Sequence, residues 1–282
     1  MQGASQTAVM TAVSRGAHHF MDPDPIFSDT YALALVGMSE LEAVEFLRAA
    51  GPERLWHVAR LFVCQRSRFV EEAVERAVAD GVNQFVDVGA GLSSFAWRRT
   101  DLLQTLNVFE VDHPDTQSVK RQRVDAVGLT CPPNMHFVAV DFNAADSLAD
   151  ALTGAGFDAS KPSIWSWLGV VTYRRVDAVR STLAEVAALS TKRSTLVASF
   201  GVPDEFMEPA SSEFAHLVRE LVAKIGEPQV TWLQPEEMET IAREAHWRQV
   251  TSVDPASFAP WFAGRSDGLQ PVRYEWLLVA EK

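Results

Sequence analysis

Two carboxylates and a pair of glycines offer the chemistry in this sequence. In FVDVGAGLSS, Gly89 and Gly91 flank Ala90 directly after an apolar run, Phe85 to Val88, that contains Asp87. Glycines at such a place permit a tight turn and let the backbone approach a ligand with no Cβ in the way. A second run, Asn107 to Val111, ends on Asp112. A carboxylate at the end of a second strand can accept hydrogen bonds from both hydroxyls of a ribose. A third run, Met135 to Val140, ends on Asp141 and Phe142. There an acid can accept from an adenine amino group while the ring gives the base a flat apolar contact. Capping of a following helix by Asp141 is the equal alternative, since Asp146 and Ser147 come next.

What is missing narrows the nucleotide. A dinucleotide turn needs a third glycine, and position 94 is Ser; no G-x-x-x-x-G-K-[ST] occurs, so a triphosphate cradle is not expected. A D-x-G-x-G turn with a distant acid suits a nucleoside without phosphates, of which S-adenosylmethionine is the commonest cofactor. An ordinary α/β turn with glycines for geometry alone is the alternative. Arg66 and Arg68 precede this unit in a helix, and a guanidinium there can fork onto the methionine carboxylate, against the usual solvated surface role. Ligands of open parallel sheets lie outside the carboxyl ends of the strands. Trp167, Leu168, Gly169 and Tyr173, after the fourth apolar run, are therefore expected to border cofactor and acceptor.

These residues need a scaffold of alternating strands and helices. Strands are expected at 85–88, 107–112, 135–140, 163–168, 194–200 and 272–281, as short apolar runs bounded by turn signals. Ser93 and Ser94 stand where a helix after the glycine turn could be capped. Further helices are expected at 116–127, from 148, at 174–189, at 214–225 and from 235, with 203–210 an exposed loop. Before the first strand, 1–50 suggests a helical cap, with apolar spacing from Ile26 to Leu47 after the turn Asp22-Pro23-Asp24-Pro25. A stronger helix runs from Glu53 to about Asp80, closed by Gly81. The division expected is helices over 1–80 and an α/β domain over 81–282, forming one structural unit.

The chain has 282 residues, 47% hydrophobic, with a formal net charge of −12. That surface repels phosphate backbones, so a nucleic-acid partner is not expected. Cys64 and Cys131 form no C-x-x-C and no metal spacing, which fits reduced thiols in the cytoplasm. The N-terminus lacks the pattern of a secretory signal, and no apolar run is long enough to span a bilayer. A homodimer is compatible with the chain.

The ordered set RSRF, VDVGAGL, VFEVDHP, VAVDF, GFDASKPSIW, GVVTY and the ending YEWLLVAEK resembles the bacterial class I S-adenosylmethionine-dependent O-methyltransferases related to leucine carboxyl methyltransferase. The resemblance runs from about 60 to 200 and resumes at the end. It implies a Rossmann-like, mostly parallel seven-stranded sheet with an antiparallel last strand and a helical N-terminal cap. It implies that Arg66 binds the methionine carboxylate, that Gly89, Ala90 and Gly91 line the methionine portion, and that Asp112 holds the ribose. Asp141 and Phe142 then hold the adenine, Trp167 and Leu168 border the cofactor, and Tyr173 faces a small-molecule acceptor. Two positions depart from the family: Leu168 replaces an acid before the glycine, and Ser93 replaces an Asp. They raise the alternative of a cyclase, isomerase or decarboxylase on the same scaffold.

Methyl transfer to a phenol or alcohol needs a base. His113, beside Asp112, is the candidate, with His18, His19 and His57 in the cap; each is otherwise a structural histidine. Scarcity of bases favours a carboxylate acceptor, already ionised at neutral pH, giving a methyl ester. Arg174 or Arg175 can pair with it. Eight Trp and 16 Phe, crowded near the end at Trp232, Trp247, Phe258, Trp261, Phe262 and Trp276, are core or the wall of a pocket for a greasy natural product.

Overall fold

The apolar runs assemble into one seven-stranded sheet in the order β3-β2-β1-β4-β5-β7-β6. A computed structural model describes residues 5–142, 144 and 146–282; residues 1–4 of the expected cap lie outside it. The strands are β1 Gln84–Val88, β2 Asn107–Asp112, β3 Met135–Ala139, β4 Ile164–Trp167, β5 Thr195–Gly201, β6 Gln249–Val253 and β7 Glu275–Glu281. The pairs among β1 to β5 are parallel, and β7 runs antiparallel to both β5 and β6. This is the Rossmann-like class I methyltransferase arrangement that the resemblance implies. Chain order reverses between β1 and β4, which opens a crevice beyond their carboxyl ends.

The helices are α1 Gln6–Met21, α2 Ala32–Val36, α3 Glu40–Ala50, α4 Glu53–Ala79, α5 Phe95–Arg98, α6 Pro114–Ala126, α7 Leu148–Gly154, α8 Val176–Ala188, α9 Pro209–Lys224 and α10 Pro235–Glu244. Alternation within the strands divides the core. Val86, Val88, Phe109, Val111, Trp165 and Trp167 pack with residues of α7, α8 and α10. Phe85, Val108 and Ile164 pack with Val70 and Val74 of α4 and with α5. The first half of α4 (Leu55, Val58, Leu61) instead packs with Phe214 and Val218 of α9. One helix, about 40 Å long at 1.5 Å per residue, thus ties the N-terminal helices to the sheet. No described helix is long and apolar enough to cross a membrane.

Several expectations are corrected. Ile26–Leu47 is not one helix: Gly37, at φ 73°, ends α2, and a capping box of Ser39 and Glu42 starts α3. The helix after the glycine turn is only the four residues of α5. α9 starts at Pro209, five positions before Phe214, because Pro is pre-set for the first helical turn. β6 was not expected at all. The terminal aromatics are not a pocket wall: Trp247, Phe258 and Phe262 are buried in core clusters, and none of the six lines the cavity described next.

Candidate active site

A cavity of about 960 Å³ opens at the carboxyl edge of the sheet, roofed by α1 and walled by α3, α4 and α9. Its floor at one end is the glycine turn. Gly89 and Gly91 hold φ of 71° and 52°, conformations that favour glycine. A Cβ on Gly89 would stand 2.4 Å from Val170 Cγ2, and one on Gly91 3.2 Å from Ala8 Cβ of α1. Beside the turn, Asp112 accepts from the Gly91 N–H (2.6 Å, Oδ2) and the His113 N–H (2.7 Å, Oδ1). Burial pushes the Asp112 carboxyl above its usual range, against those two N–H groups. Each of its oxygens keeps a further lone pair for a ligand.

Asp141 and Phe142 line the same end. Asp141 is not a helix cap: Ser147 caps α7, and the Asp141 N–H donates to Asp146 Oδ2 at 3.0 Å. Its carboxylate lies 3.6 Å from His113 Nε2, while His113 Nδ1 accepts from Asp115 N–H and caps α6. His113 thus stands between two acids and a helix start at the nucleotide end. The arginines touching the turn are engaged: Arg15 with Asp29 and the Leu92 carbonyl, Arg98 with Glu71 and the Ser94 hydroxyl. Beside this turn stands the Asp112 carboxylate, with Arg15 and Arg98 already engaged, which fits an adenosine without phosphates.

Beyond the turn, the guanidinium of Arg66 pairs with Glu275, the first residue of β7; both are buried and both line the cavity. Gly169, at φ 69°, lies against Arg66, where a Cβ would stand 2.6 Å from Nη2. Asp87, under the turn, accepts from the Ser166 hydroxyl at 2.6 Å, and burial raises its carboxyl.

The opposite end is apolar, with Phe46, Leu55, Phe62, Phe214, Leu217 and Leu221 on its walls. Its polar feature is a chain of two phenols joined by an amide: Gln229 Nε2 donates to Tyr274 OH (3.0 Å) and Tyr173 OH (3.4 Å). Burial pushes the Tyr173 hydroxyl up to about 12, and the charge of Glu275 adds to the rise. The Tyr274 hydroxyl is raised by the same two causes in the same order. Both phenols are therefore protonated donors at neutral pH.

The structure brings together Arg66, Gly89, Ala90, Gly91, Asp112, His113, Asp141, Phe142, Leu168 and Tyr173 around this cavity. Trp167 is the exception and a correction: its side chain is buried in the sheet core, away from the cavity. Alternation turns Trp165 and Trp167 to one face and Ser166 to the other, beside Asp87. Missed by the sequence reading were Glu275, Gln229 and Tyr274, whereas α1 is part of the expected helical cap. Among the described residues, no group of three His, Cys, Asp or Glu is placed to hold a metal.

The model of the leucine carboxyl methyltransferase family matches residues 8–187. A Bacillus subtilis protein named "Putative S-adenosyl-L-methionine-dependent methyltransferase YktD" is 28% identical over 290 residues, covering 94% of each chain. A Parafrankia protein with the same description is 32% identical over 226 residues, covering 76% of this chain and 71% of that one. A solved structure, a DUF574 family protein from Streptomyces avermitilis, shares the fold with a TM-score of 0.64 at 17% identity, over 100% of this chain and 98% of that one.

Proposed function

The chain belongs to the leucine carboxyl methyltransferase family and is an S-adenosylmethionine-dependent methyltransferase, and on that premise we propose that it methylates a carboxylate of a small hydrophobic natural product, giving a methyl ester. The observation that carries this reading is the Tyr173–Gln229–Tyr274 chain at the edge of an apolar chamber. Tyr274 OH returns its proton to Gln229 Oε1 (3.4 Å), whereas Tyr173 OH only accepts the amide hydrogen and keeps its own proton to donate. Such a donor suits an oxygen that is already anionic. No imidazole other than His113 lines the cavity among the described residues, and His113 is occupied at the nucleotide end. A carboxylate needs no base, because it is ionised well below neutral pH.

When bound, S-adenosylmethionine supplies a methyl group on a sulfonium, whose departure leaves a neutral thioether. In this reading Asp112 takes the ribose hydroxyls, and Asp141 with Phe142 takes the adenine. Gly89, Ala90 and Gly91 let the backbone approach, Arg66 takes the methionine carboxylate, and Leu168 flanks it. The chain's own contribution is alignment and exclusion of water by α1 and α9, where near-attack geometry can supply about 7–11 kcal/mol. The case for a reaction other than methylation rests on Leu168 and Ser93, and its Leu168 half loses force because Glu275 sets an acid beside Arg66 by another route.

The test is an acceptor screen of apolar carboxylic acids and phenols with S-adenosylmethionine, sorting products by alkali lability. Esters are expected, with Tyr173→Phe raising KM for the acceptor and leaving affinity for S-adenosylhomocysteine unchanged. Alkali-stable ethers as the sole products would refute the carboxylate reading.

A further inference from the structure

The buried partner of Arg66 has more bonding capacity than its ion pair uses. β7 is antiparallel to its neighbours, so its first residue, not its last, comes to the ligand edge. Glu275 pairs with Gly201 at the carboxyl end of β5. Its side chain meets the Arg66 guanidinium through one oxygen, Oε2, and no other described protein group hydrogen-bonds it. Arg66 uses one N–H group, Nη1, on Glu275, while Phe62 lies 5.1 Å from its Cζ and Gly169 closes against Nη2. An ion pair buried this deeply costs desolvation on both sides and recovers it only when its remaining donors and acceptors are met. At a cavity wall, a ligand can meet them.

We propose that Glu275 binds the α-ammonium group of S-adenosylmethionine while Arg66 binds its carboxylate, so that the pair is a receptor for a zwitterionic amino acid. The inference rests on the reading that this cavity holds the cofactor. A ligand with only a carboxylate or only an ammonium would leave the spare bonding capacity of Glu275 or of Arg66 unmet; an amino-acid head answers both. The other acid on this wall, the half-buried Asp87, is turned to the Ser166 and Ser93 hydroxyls. The end of β4 offers only Leu168. Glu275 is thus the acid left for an ammonium beside Arg66, and Gly169 is held to glycine because any side chain would displace the guanidinium.

The test is calorimetric titration of wild type and Glu275→Gln with three ligands. These are S-adenosylhomocysteine, its analogue lacking the α-amino group, and 5′-methylthioadenosine, which lacks the amino-acid head. Glu275→Gln should bind S-adenosylhomocysteine about tenfold or more weakly, the scale of one hydrogen bond between charged groups. Its affinity for the other two should match wild type within about twofold. Equal losses for S-adenosylhomocysteine and the deaminated analogue would mean that Glu275 only positions Arg66, and would overturn the proposal. So would no loss for any ligand. Should Glu275→Gln not fold, wild type decides: equal affinity for S-adenosylhomocysteine and the deaminated analogue overturns the proposal, and about a tenfold gap upholds it. Failure of wild type to bind any of the three would sink the cofactor site itself, a result distinct from a site that binds all three without regard to Glu275.

Discussion

Glu227 is a latch on the roof of the cavity, and cutting it should open α1 selectively. Its carboxylate, in the loop after α9, accepts from Ser5 Oγ (3.0 Å), Gln6 N (2.9 Å), Thr7 N (3.2 Å) and Thr7 Oγ1 (2.7 Å). An anion at a helix start also meets the positive end of the helix dipole. The site is half-buried and the released donors can turn to water, so Glu227→Ala should cost well under the sum of four charged hydrogen bonds: about 2–3 kcal/mol. That converts to a roughly 30–160-fold rise in local opening. The opening should stop near residue 14, because Arg15 is tied to Asp29 and His18 to Asp22, itself held by Arg60. Hydrogen exchange read by mass spectrometry should show faster exchange in peptides covering 6–14 and none in β1 or β2. Saturating S-adenosylhomocysteine should slow it, since Ala8 sits over Gly91. Unchanged exchange in 6–14, or a rise spread evenly over the chain, would refute the latch.

Two further outcomes follow from buried charges away from the cavity. Glu110 and Lys120 form a fully buried ion pair, and burial still pushes Glu110 up to about 7, with Oε1 left without a partner. Lys120→Met should destabilise by about 3–5 kcal/mol in urea titrations, and adding Glu110→Leu should recover most of it; a single variant within 1 kcal/mol of wild type, roughly the scale of an exposed pair, would contradict this. Burial pushes Asp22 up, but hydrogen bonds from His18 and Arg60 outweigh it and hold the carboxyl at about 2, below the ordinary 3.8. A depressed folded-state value stabilises above 3.8 and is lost as pH falls towards 2. Stability against pH should therefore fall across that window in wild type and more shallowly in Asp22→Asn, whereas parallel curves would disprove the linkage.

What was legible in the sequence was local. Gly89, Gly91, Asp112 and Asp141 announce themselves because a turn and the strand ends beside it lie close along the chain. Short apolar runs marked β1 to β5 and β7 along the chain, and the resemblance supplied the mostly parallel sheet they form. What stayed hidden depends on distant contacts or on strand sense. Glu275 is 209 residues from Arg66, and YEWLL reads as an ordinary strand until its antiparallel direction puts the first residue at the ligand edge. The signal was available: an acid opening an antiparallel last strand. Trp167 was misplaced because proximity to a strand's end was weighed above alternation, which sends it into the core. β6 escaped because its alternation, with Val250 buried between exposed neighbours, is weak beside the aromatic residues around it. Gln229 and Tyr274 carry no local signature, and only packing of the loop after α9 against β7 unites them with Tyr173.

The most direct measurement is the dissociation constant of S-adenosylhomocysteine for Asp112→Ala, taken by calorimetry on protein shown to be folded. Loss of hydrogen bonds from a half-buried carboxylate predicts weakening by about 1.5–3 kcal/mol, roughly 10–150-fold. An unchanged constant would contradict the assignment of the glycine turn and its acid as the grip on the nucleoside.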